Sequence, residues 1–245
     1  MADESTLASA YEAISADAAA LKVDLPAEEV AVVAERCGFG DAELAAVGEV
    51  FAYLAKRHHE STIATLLRLG GLPQKAPKTL GNFDFARMQG RDAAALRGLP
   101  ALANLHARKD IAFVGPGGIG KTHLAKAYGR ECCMRGYKTY FLKASELKDR
   151  LERAVEGGTT AKVDSSMVKP SCLIVDEIGR CTIDRACTNL FFDIVDRRYE
   201  KEVPNTLILT SNTPVNNWDE FLEGDSDTLV CTLDRIFDKA SVYMM

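Results

Sequence analysis

The 245-residue sequence has few of the features that would place a protein in a membrane or outside the cell. No apolar run approaches the roughly 18 residues that a membrane span needs. The first residues, Met-Ala-Asp-Glu-Ser-Thr, contain no basic segment followed by an apolar one, which is the pattern of a secretion signal. We therefore expect a soluble, cytoplasmic protein that has no membrane partner.

Cysteine and histidine are not arranged as metal ligands or as a disulfide framework. The seven cysteines are an odd number, and none forms a Cys-x-x-Cys pair with a matching second pair or histidine knuckle. We expect reduced thiols that act as small core residues. Of the four histidines, His58 and His59 are adjacent and would point to different faces of a helix, while His123 is expected to pack. These patterns argue against a zinc protein and a disulfide scaffold.

The sequence also lacks an excess of positive charge. Its net charge is −5 and its pI is near 5.5, so the whole chain has no general attraction to nucleic acid. DNA binding would need a local basic patch, or many subunits that present one together. Lys148, Arg150 and Arg153, with Lys162 and Lys169 nearby, form a modest cluster of this kind. A solvated helix face explains the same pattern, so both interpretations stay open.

What the sequence does contain begins with a helical module over residues 1–70. Alanine-rich amphipathic stretches at Thr6–Leu21, Glu28–Cys37, Glu43–His59 and Ser61–Leu69 predict four helices. Such a module is either a scaffold or a surface for partners and oligomerisation. Residues 71–81, which contain two prolines, are a candidate linker.

From residue 82 onward, strands and helices alternate. The apolar segments Ile111–Val114, Lys138–Leu142, Ser171–Val175, Thr206–Thr210 and Ser241–Met244 predict strands. Helical patterns fill the intervals, and one helix is predicted from a cap at Asp92 to Ala107. Repeated units of this kind predict a three-layer α/β/α domain with a parallel sheet over residues 82–245, and its ligand should bind at the carboxyl ends of the strands.

The most specific motif is the run Gly115, Pro116, Gly117, Gly118, Ile119, Gly120, Lys121 and Thr122, between a strand and a helix. We call residues 115–122 the phosphate loop. Its glycines allow backbone N–H groups to turn inward around phosphates, and the helix that follows presents its positive end to the same anion. Lys121 adds a point charge, and the Thr122 hydroxyl can bind Mg²⁺. The pattern predicts a nucleoside triphosphate site.

A second motif consists of four apolar residues that end in Asp176 and Glu177. A carboxylate at the tip of a strand beside the phosphate loop can share a Mg²⁺ ion with Thr122, which is the role predicted for Asp176. Glu177 can activate the water that attacks the γ-phosphate. The pair favours hydrolysis over a small-molecule kinase, although two acids can also simply favour the dipole of the next helix.

Two further polar residues complete the predicted site. Asn212 follows an apolar strand and can contact the γ-phosphate or the attacking water, although asparagine is also a common turn residue. Arg235 would suit an arginine finger supplied by a neighbouring subunit. Alternatively, it is a surface residue paired with Asp234 or Asp238, and Arg180, Arg197 or Arg198 supplies the cation.

In these residues the chain resembles the AAA+ ATPases. The phosphate loop resembles Walker A, Leu173–Glu177 resembles Walker B, Asn212 resembles sensor 1, and Arg235 resembles the arginine finger. Within that group the sequence is similar to the IstB transposition helpers and the related DnaC-type helicase loaders. The stretches that carry this similarity are residues 78–85, 120–125, 190–199 and 210–212, with Trp218 and residues 233–235 beyond them.

The resemblance implies an ATPase that binds ATP and Mg²⁺, forms a homo-oligomer on double-stranded DNA and delivers a transposase or a replicative helicase to it. It also implies that residues 79–85 lie near the adenine; a hydrophobic tether to the core is the alternative for this stretch. After Ser241–Met244 the sequence has no Gly-x-Ser-x-Arg segment, which carries the sensor 2 arginine in relatives. Either the sequence is truncated or the protein works without that contact, so a non-hydrolysing nucleotide switch that binds a partner through residues 1–70 is a second hypothesis.

Overall fold

The computed structural model describes residues 4–87, 92–224 and 226–245. The chain forms two compact units, which divide between Thr65 and Leu66. In the described ranges, no helix is both long enough and apolar enough to cross a membrane. Leu72 and Leu80, from the segment predicted as a linker, are both buried. Leu80 packs in the core of the second unit.

The N-terminal unit is helical. Its elements are α1 (Glu4–Ala20), α2 (Ala27–Cys37) and the first part of α3 (Asp41–Leu69). A small core contains Ile14, Val30, Ala34 and Leu44. Helix α2 ends where Gly38 adopts a left-handed conformation, with φ 67°, and donates its N–H to the carbonyl of Ala34. Helix α3 runs unbroken where two helices were predicted, because no glycine or proline interrupts it between residues 49 and 69.

The second unit is built on a five-stranded parallel sheet. The strands are β1 (Ile111–Val114), β2 (Thr139–Lys143), β3 (Cys172–Ile178), β4 (Thr206–Ser211) and β5 (Ser241–Met244). Their order across the sheet is β2-β3-β4-β1-β5, and every neighbouring pair is parallel. Strand β4 therefore lies between the strand that precedes the phosphate loop and the strand that ends in the two acids.

Helices cover both faces of this sheet, as predicted for a three-layer domain. Ala112 and Val114 belong to a core shared with α7 (Ala144–Glu156) and α9 (Arg185–Tyr199). Ile111 and Phe113 belong to the opposite core, which includes α6 (Lys121–Met134). This alternation follows from the two-residue repeat of a strand and explains why all four residues of β1 are buried.

Two helical predictions in this unit differ from the structure. The segment predicted as one helix from Asp92 to Ala107 consists of α4 (Ala93–Arg97), a 3₁₀ turn and α5 (Ala103–His106), because Pro100 has no N–H with which to continue a helix. Asp92 does not cap α4; one of its carboxylate oxygens accepts the N–H of Met244 at 3.2 Å. The second difference is helix α8 (Thr160–Val168), which was not predicted. The last helix, α10 (Ser226–Phe237), precedes β5.

Candidate nucleotide-binding site

The phosphate loop joins the carboxyl end of β1 to the first residue of α6. Gly118 and Gly120 have φ angles of 82° and 109°, which side chains rarely allow. At Gly120 a Cβ atom would also lie 2.6 Å from the ring of Phe83. Glycine at position 120 is therefore required both by the backbone and by a close neighbour, and the loop can bring its N–H groups around an anion.

The ammonium group of Lys121 lies inside this loop. Its Nζ donates to the carbonyls of Gly115 at 2.6 Å and Pro116 at 2.7 Å, and the residue is buried. Burial lowers the pKa of Lys121, while attraction to the Asp176 carboxylate raises it. A lysine has three N–H donors, so one remains for a phosphate oxygen after these two bonds.

Two threonines from different elements converge on Asp176. The Thr122 hydroxyl at the start of α6 donates to Asp176 Oδ1 at 2.7 Å, and the Thr210 hydroxyl of β4 donates to the same oxygen at 2.6 Å. Asp176 and Thr210 are both buried. The site therefore contains a buried carboxylate held between the helix that follows the phosphate loop and the central strand of the sheet.

Glu177 leaves the strand geometry immediately after Asp176. Its φ is 63°, an uncommon value for a residue with a side chain, and the β3–β4 register shifts between Val175 and Ile178. The Glu177 N–H donates to the Thr210 hydroxyl at 2.9 Å, which holds this turn. The Glu177 carboxylate is half-exposed and accepts from Arg180 at 2.7 Å, with Lys143 Nζ at 3.8 Å. A strained backbone of this kind is common in functional sites.

One cleft of about 330 Å³ unites most of the predicted site residues. Its walls include Gly117, Gly118, Gly120, Lys121, Thr122, Glu177 and Asn212. Asn212 follows β4 directly, so the position of that strand between β1 and β3 brings its side chain between the phosphate loop and the two acids. Asp176 lies behind Thr122, to which it is hydrogen-bonded.

Arg235, the predicted arginine finger, lies outside this cleft. It lies on α10, in a separate groove with Phe192, Tyr199 and Asp238. Its Nε is 3.1 Å from Asp196 Oδ1, and its guanidinium group is 4.8 Å from the centre of the Tyr199 ring. The acidic partner is therefore Asp196 on α9, and not Asp234 or Asp238, which the alternative to the arginine finger had named.

The three arginines predicted as alternatives to Arg235 lie outside the groove that Arg235 shares with Phe192. Arg198 is buried and donates to the carbonyls of Met167, Pro170 and Thr206, so it cannot extend towards another subunit. Arg180 is bound to Glu177 of the same chain. Arg197 is exposed on α9.

Four residues that line or support the site were not predicted to do so. Thr210 joins the two acids to β4, and its hydroxyl directly after three apolar residues of that strand was the one signal for it. His123, Lys78 and Lys126 line the cleft. His123 Nε2 lies 2.9 Å from the carbonyl of Thr79 and 2.9 Å from Asn82 Oδ1. These contacts join residues about 40 positions apart, which no local pattern reveals.

The comparisons with known proteins agree with this arrangement. The family model described as IstB-like ATP binding protein matches residues 27–245. A protein of insertion sequence IS5376 from Geobacillus stearothermophilus, named as an ATP-binding protein, is 38% identical over 182 residues, which are 74% of this chain and 70% of the relative. A protein of insertion sequence IS232 from Bacillus thuringiensis subsp. berliner, also named as ATP-binding, is 33% identical over 75% of this chain and 71% of its own length.

Solved structures with the same fold are more distant in sequence. AMPPCP-bound DnaA from Aquifex aeolicus has a TM-score of 0.55 at 22% identity, over 69% of this chain and half (50%) of that chain. A DnaC helicase loader has a TM-score of 0.53 at 19% identity, over 67% of this chain and 97% of that chain. These likenesses support the P-loop AAA+ fold. With a nucleotide cleft on that fold and a family model that matches most of its length, the chain belongs to the family of IstB-like ATP-binding proteins.

Proposed function

We propose that this protein hydrolyses ATP within a homo-oligomer assembled on double-stranded DNA, and that it acts as a transposition helper that recruits or regulates a transposase. The observation that carries the proposal is the convergence of Lys121, Thr122, Glu177 and Asn212 on one cleft, while Arg235 lies in another groove of the same chain. One copy thus presents a cleft for ATP and, elsewhere, a cation suited to a second cleft.

The residues beside the phosphate loop fit a Mg²⁺ ion. Thr122 Oγ1 and Asp176 Oδ1 are 2.7 Å apart and are both hard oxygen donors, the ligand type that Mg²⁺ prefers. The Thr210 hydroxyl fixes the same carboxylate from the other side. Thr122 and Asp176 would hold the ion, and the bound ion would neutralise charge on the phosphates.

Glu177 is the proposed base for hydrolysis. Its carboxylate lines the cleft and can accept a proton from a water molecule directed at the γ-phosphate. Asn212, on the neighbouring strand end, can hold that water or the γ-phosphate through its amide. Lys121 supplies positive charge to the phosphate oxygens. Arg180 and Lys143 both lie beside the Glu177 carboxylate and fix its position before it accepts a proton.

DNA binding is assigned to the second unit because charge is divided unevenly along the chain. Residues 1–65 contain 12 acidic and 4 basic side chains, whereas residues 66–245 contain 23 acidic and 26 basic ones. Lys148, Arg150 and Arg153 lie on α7 of that unit; Lys148 Nζ is 3.7 Å from Glu152, and Arg150 lies over the ring of Tyr140. A weak patch of this kind gains affinity when an oligomer presents many copies.

Assembly is tested by light scattering of the purified protein with ADP or with a non-hydrolysable ATP analogue, each with and without duplex DNA. We expect a large species only when the analogue and DNA are both present. The Lys121→Ala variant, which loses the phosphate contact, is the matched control and should stay small under every condition. An unchanged mass in all conditions, or equal DNA affinity with and without the analogue at matched salt, would contradict the proposal.

Hydrolysis is tested with Glu177→Gln, which keeps the shape of the side chain and removes its basicity. We expect ATP binding to be retained, turnover to fall about 10²-fold or more, and the large species to persist with ATP itself. Turnover at the parent rate would show that Glu177 is not the base. No ATP turnover by the parent, with or without DNA, would favour the non-hydrolysing switch.

The partner class is tested by retention on the assembled complex. A transposase and a replicative helicase from the same cell are each offered to the protein on DNA, with ATP analogue or ADP. We expect the transposase to be retained only with the analogue. Selective retention of the helicase would contradict the proposed role as a transposition helper and would favour a helicase loader of the DnaC type.

A further inference from the structure

We propose that His123 is a positioning residue for nucleoside recognition, because it fastens residues 77–83 over the first turn of α6. We call residues 77–83 the strap. The inference depends on ATP binding and is independent of hydrolysis, oligomer formation and DNA. It assigns a role to a residue that neither coordinates Mg²⁺ nor belongs to the phosphate loop.

The contacts of His123 are with acceptors on the strap. Its Nε2 lies 2.9 Å from the carbonyl oxygen of Thr79 and 2.9 Å from Asn82 Oδ1. A carbonyl oxygen can only accept a hydrogen bond, so Nε2 must carry the proton that it shares with the strap. The imidazole ring also packs edge-on against Phe83, with 5.3 Å between the ring centres.

The strap is folded so that it meets His123 as one piece. Thr79 N donates to Asn82 Oδ1 at 2.9 Å, and Asn82 N donates to the Thr79 hydroxyl at 3.1 Å. Asn82 Nδ2 donates to the carbonyl of Pro77 at 2.9 Å. Leu80 is buried and Phe83 contacts Gly120, so the strap is also attached by apolar packing on both sides of Asn82. The loss of one bond should therefore shift the strap without unfolding it.

The position of the strap beside the nucleotide cleft suits it to contact the nucleoside. Thr122 points towards Asp176, and successive helical residues are about 100° apart, so His123 points to another side of α6. Glu177 and Asn212 line both this cleft and a neighbouring groove, whereas the strap contributes Lys78 to the cleft and meets α6 at His123. A nucleotide whose γ-phosphate lies beside Glu177 and Asn212 would place its sugar and base on the side of α6 where His123 meets the strap.

The proposal predicts different effects on the binding of two ligands, ATP and inorganic tripolyphosphate. ATP has phosphates and a nucleoside, whereas inorganic tripolyphosphate has only the phosphate part. A strap that contacts the nucleoside should affect the binding of ATP alone. A residue that merely supports the phosphate loop should affect both ligands equally.

The experiment measures the dissociation constants of ATP and of tripolyphosphate by calorimetry, for the parent chain and for variants. We expect His123→Ala to weaken ATP about three- to tenfold, the value of one net hydrogen bond, and to change tripolyphosphate by less than about twofold. Asn82→Ala leaves α6 intact and removes the acceptor for His123 together with the side-chain bonds to Thr79 N and the Pro77 carbonyl, so it should give a selective loss of ATP affinity at least as large. His123→Gln, which keeps an N–H donor, should recover most of the affinity, and His123→Phe, which keeps the ring, should not.

Two results would overturn the proposal. Equal weakening of ATP and tripolyphosphate by both His123→Ala and Asn82→Ala would show that these residues support the phosphate loop. Unchanged ATP affinity in both variants would show that the strap does not contact the nucleoside. Melting temperatures close to that of the parent are expected throughout, and Asn82→Ala keeps the test decisive if His123→Ala does not fold.

Discussion

At the scale of single residues, Thr210 shows how much of the candidate site depends on one hydroxyl group. It donates to Asp176 Oδ1 at 2.6 Å and accepts the N–H of Glu177 at 2.9 Å, so it contacts both predicted acids. It is buried, and water cannot replace either bond. The left-handed conformation of Glu177 depends on this contact, because few residues with side chains adopt it unaided.

Replacement of Thr210 by Val, which has the same shape without the hydroxyl, should therefore damage both stability and activity. A buried N–H left without an acceptor costs about 1–3 kcal/mol, and we expect a loss of that size in the free energy of unfolding. ATP turnover should fall with it, since Glu177 loses its fixed direction. Denaturant titration and steady-state ATPase assays measure the two effects. Thr210→Ser keeps the hydroxyl and is the control; equal behaviour of the Val and Ser variants would contradict the assignment.

At the scale of secondary-structure elements, buried Arg198 and partly buried Asp110 join the amino ends of the strands, opposite the nucleotide cleft. Arg198 of α9 donates to the carbonyl of Thr206 at the start of β4. Asp110, directly before β1, accepts the N–H of Leu207 at 2.7 Å. Burial raises the pKa of Asp110 to about 6, although the Leu207 bond and the attraction of Arg198 both lower it. Helix α9 and strands β1 and β4 are thus joined by polar contacts.

This raised pKa gives stability a defined pH dependence. Between the ordinary pKa of 3.8 and about 6, the folded chain holds a proton on Asp110 that the unfolded chain has released, so Asp110 makes stability fall as pH rises through this window. Asp110→Asn keeps an acceptor for Leu207 and cannot titrate. We expect the parent to lose stability relative to this variant from pH 4 to pH 7, measured by denaturant unfolding at each pH. The exposed Asp149→Asn is the control, and parallel curves for parent and Asp110→Asn would contradict the prediction.

At the scale of the whole molecule, Arg235 lies outside the nucleotide cleft of its own chain, which fits the proposed ATPase oligomer. Asp196 and Tyr199 hold the guanidinium group in a groove that does not include the phosphate loop. Asp196 Oδ1 lies 3.1 Å from Nε, and the guanidinium group lies over the Tyr199 ring. Under the proposed function, a planar cation outside the cleft of its own chain suits the γ-phosphate of an adjacent subunit. The proposed oligomer would then pair the groove of one copy with the cleft of the next.

Mixed oligomers test this pairing. Arg235→Ala should lower assembly-stimulated turnover about 10³-fold or more without weakening ATP binding, and Lys121→Ala should be inactive because it cannot hold ATP. A mixture of the two variants should regain part of the activity, since the intact cleft of one then meets the intact arginine of the other. A mixture of Lys121→Ala with the double variant is the control and should stay inactive. Full activity of Arg235→Ala alone, or no recovery in mixtures that assemble, would exclude a finger at Arg235.

The sequence by itself determined the parts of this protein that depend on neighbours in the chain. The phosphate loop, the strand that ends in Asp176 and Glu177, and the alternation of strands and helices are local patterns, so the fold and its cleft followed from them. The break in the helix predicted from Asp92 to Ala107 is also a local effect, because Pro100 has no N–H with which to continue a helix. Tertiary structure alone decided that Thr210 holds both acids, that His123 holds the strap, and that Arg235 pairs with Asp196. Each of these contacts joins residues that are distant in sequence, and only the packing of the elements brings such residues within hydrogen-bonding distance.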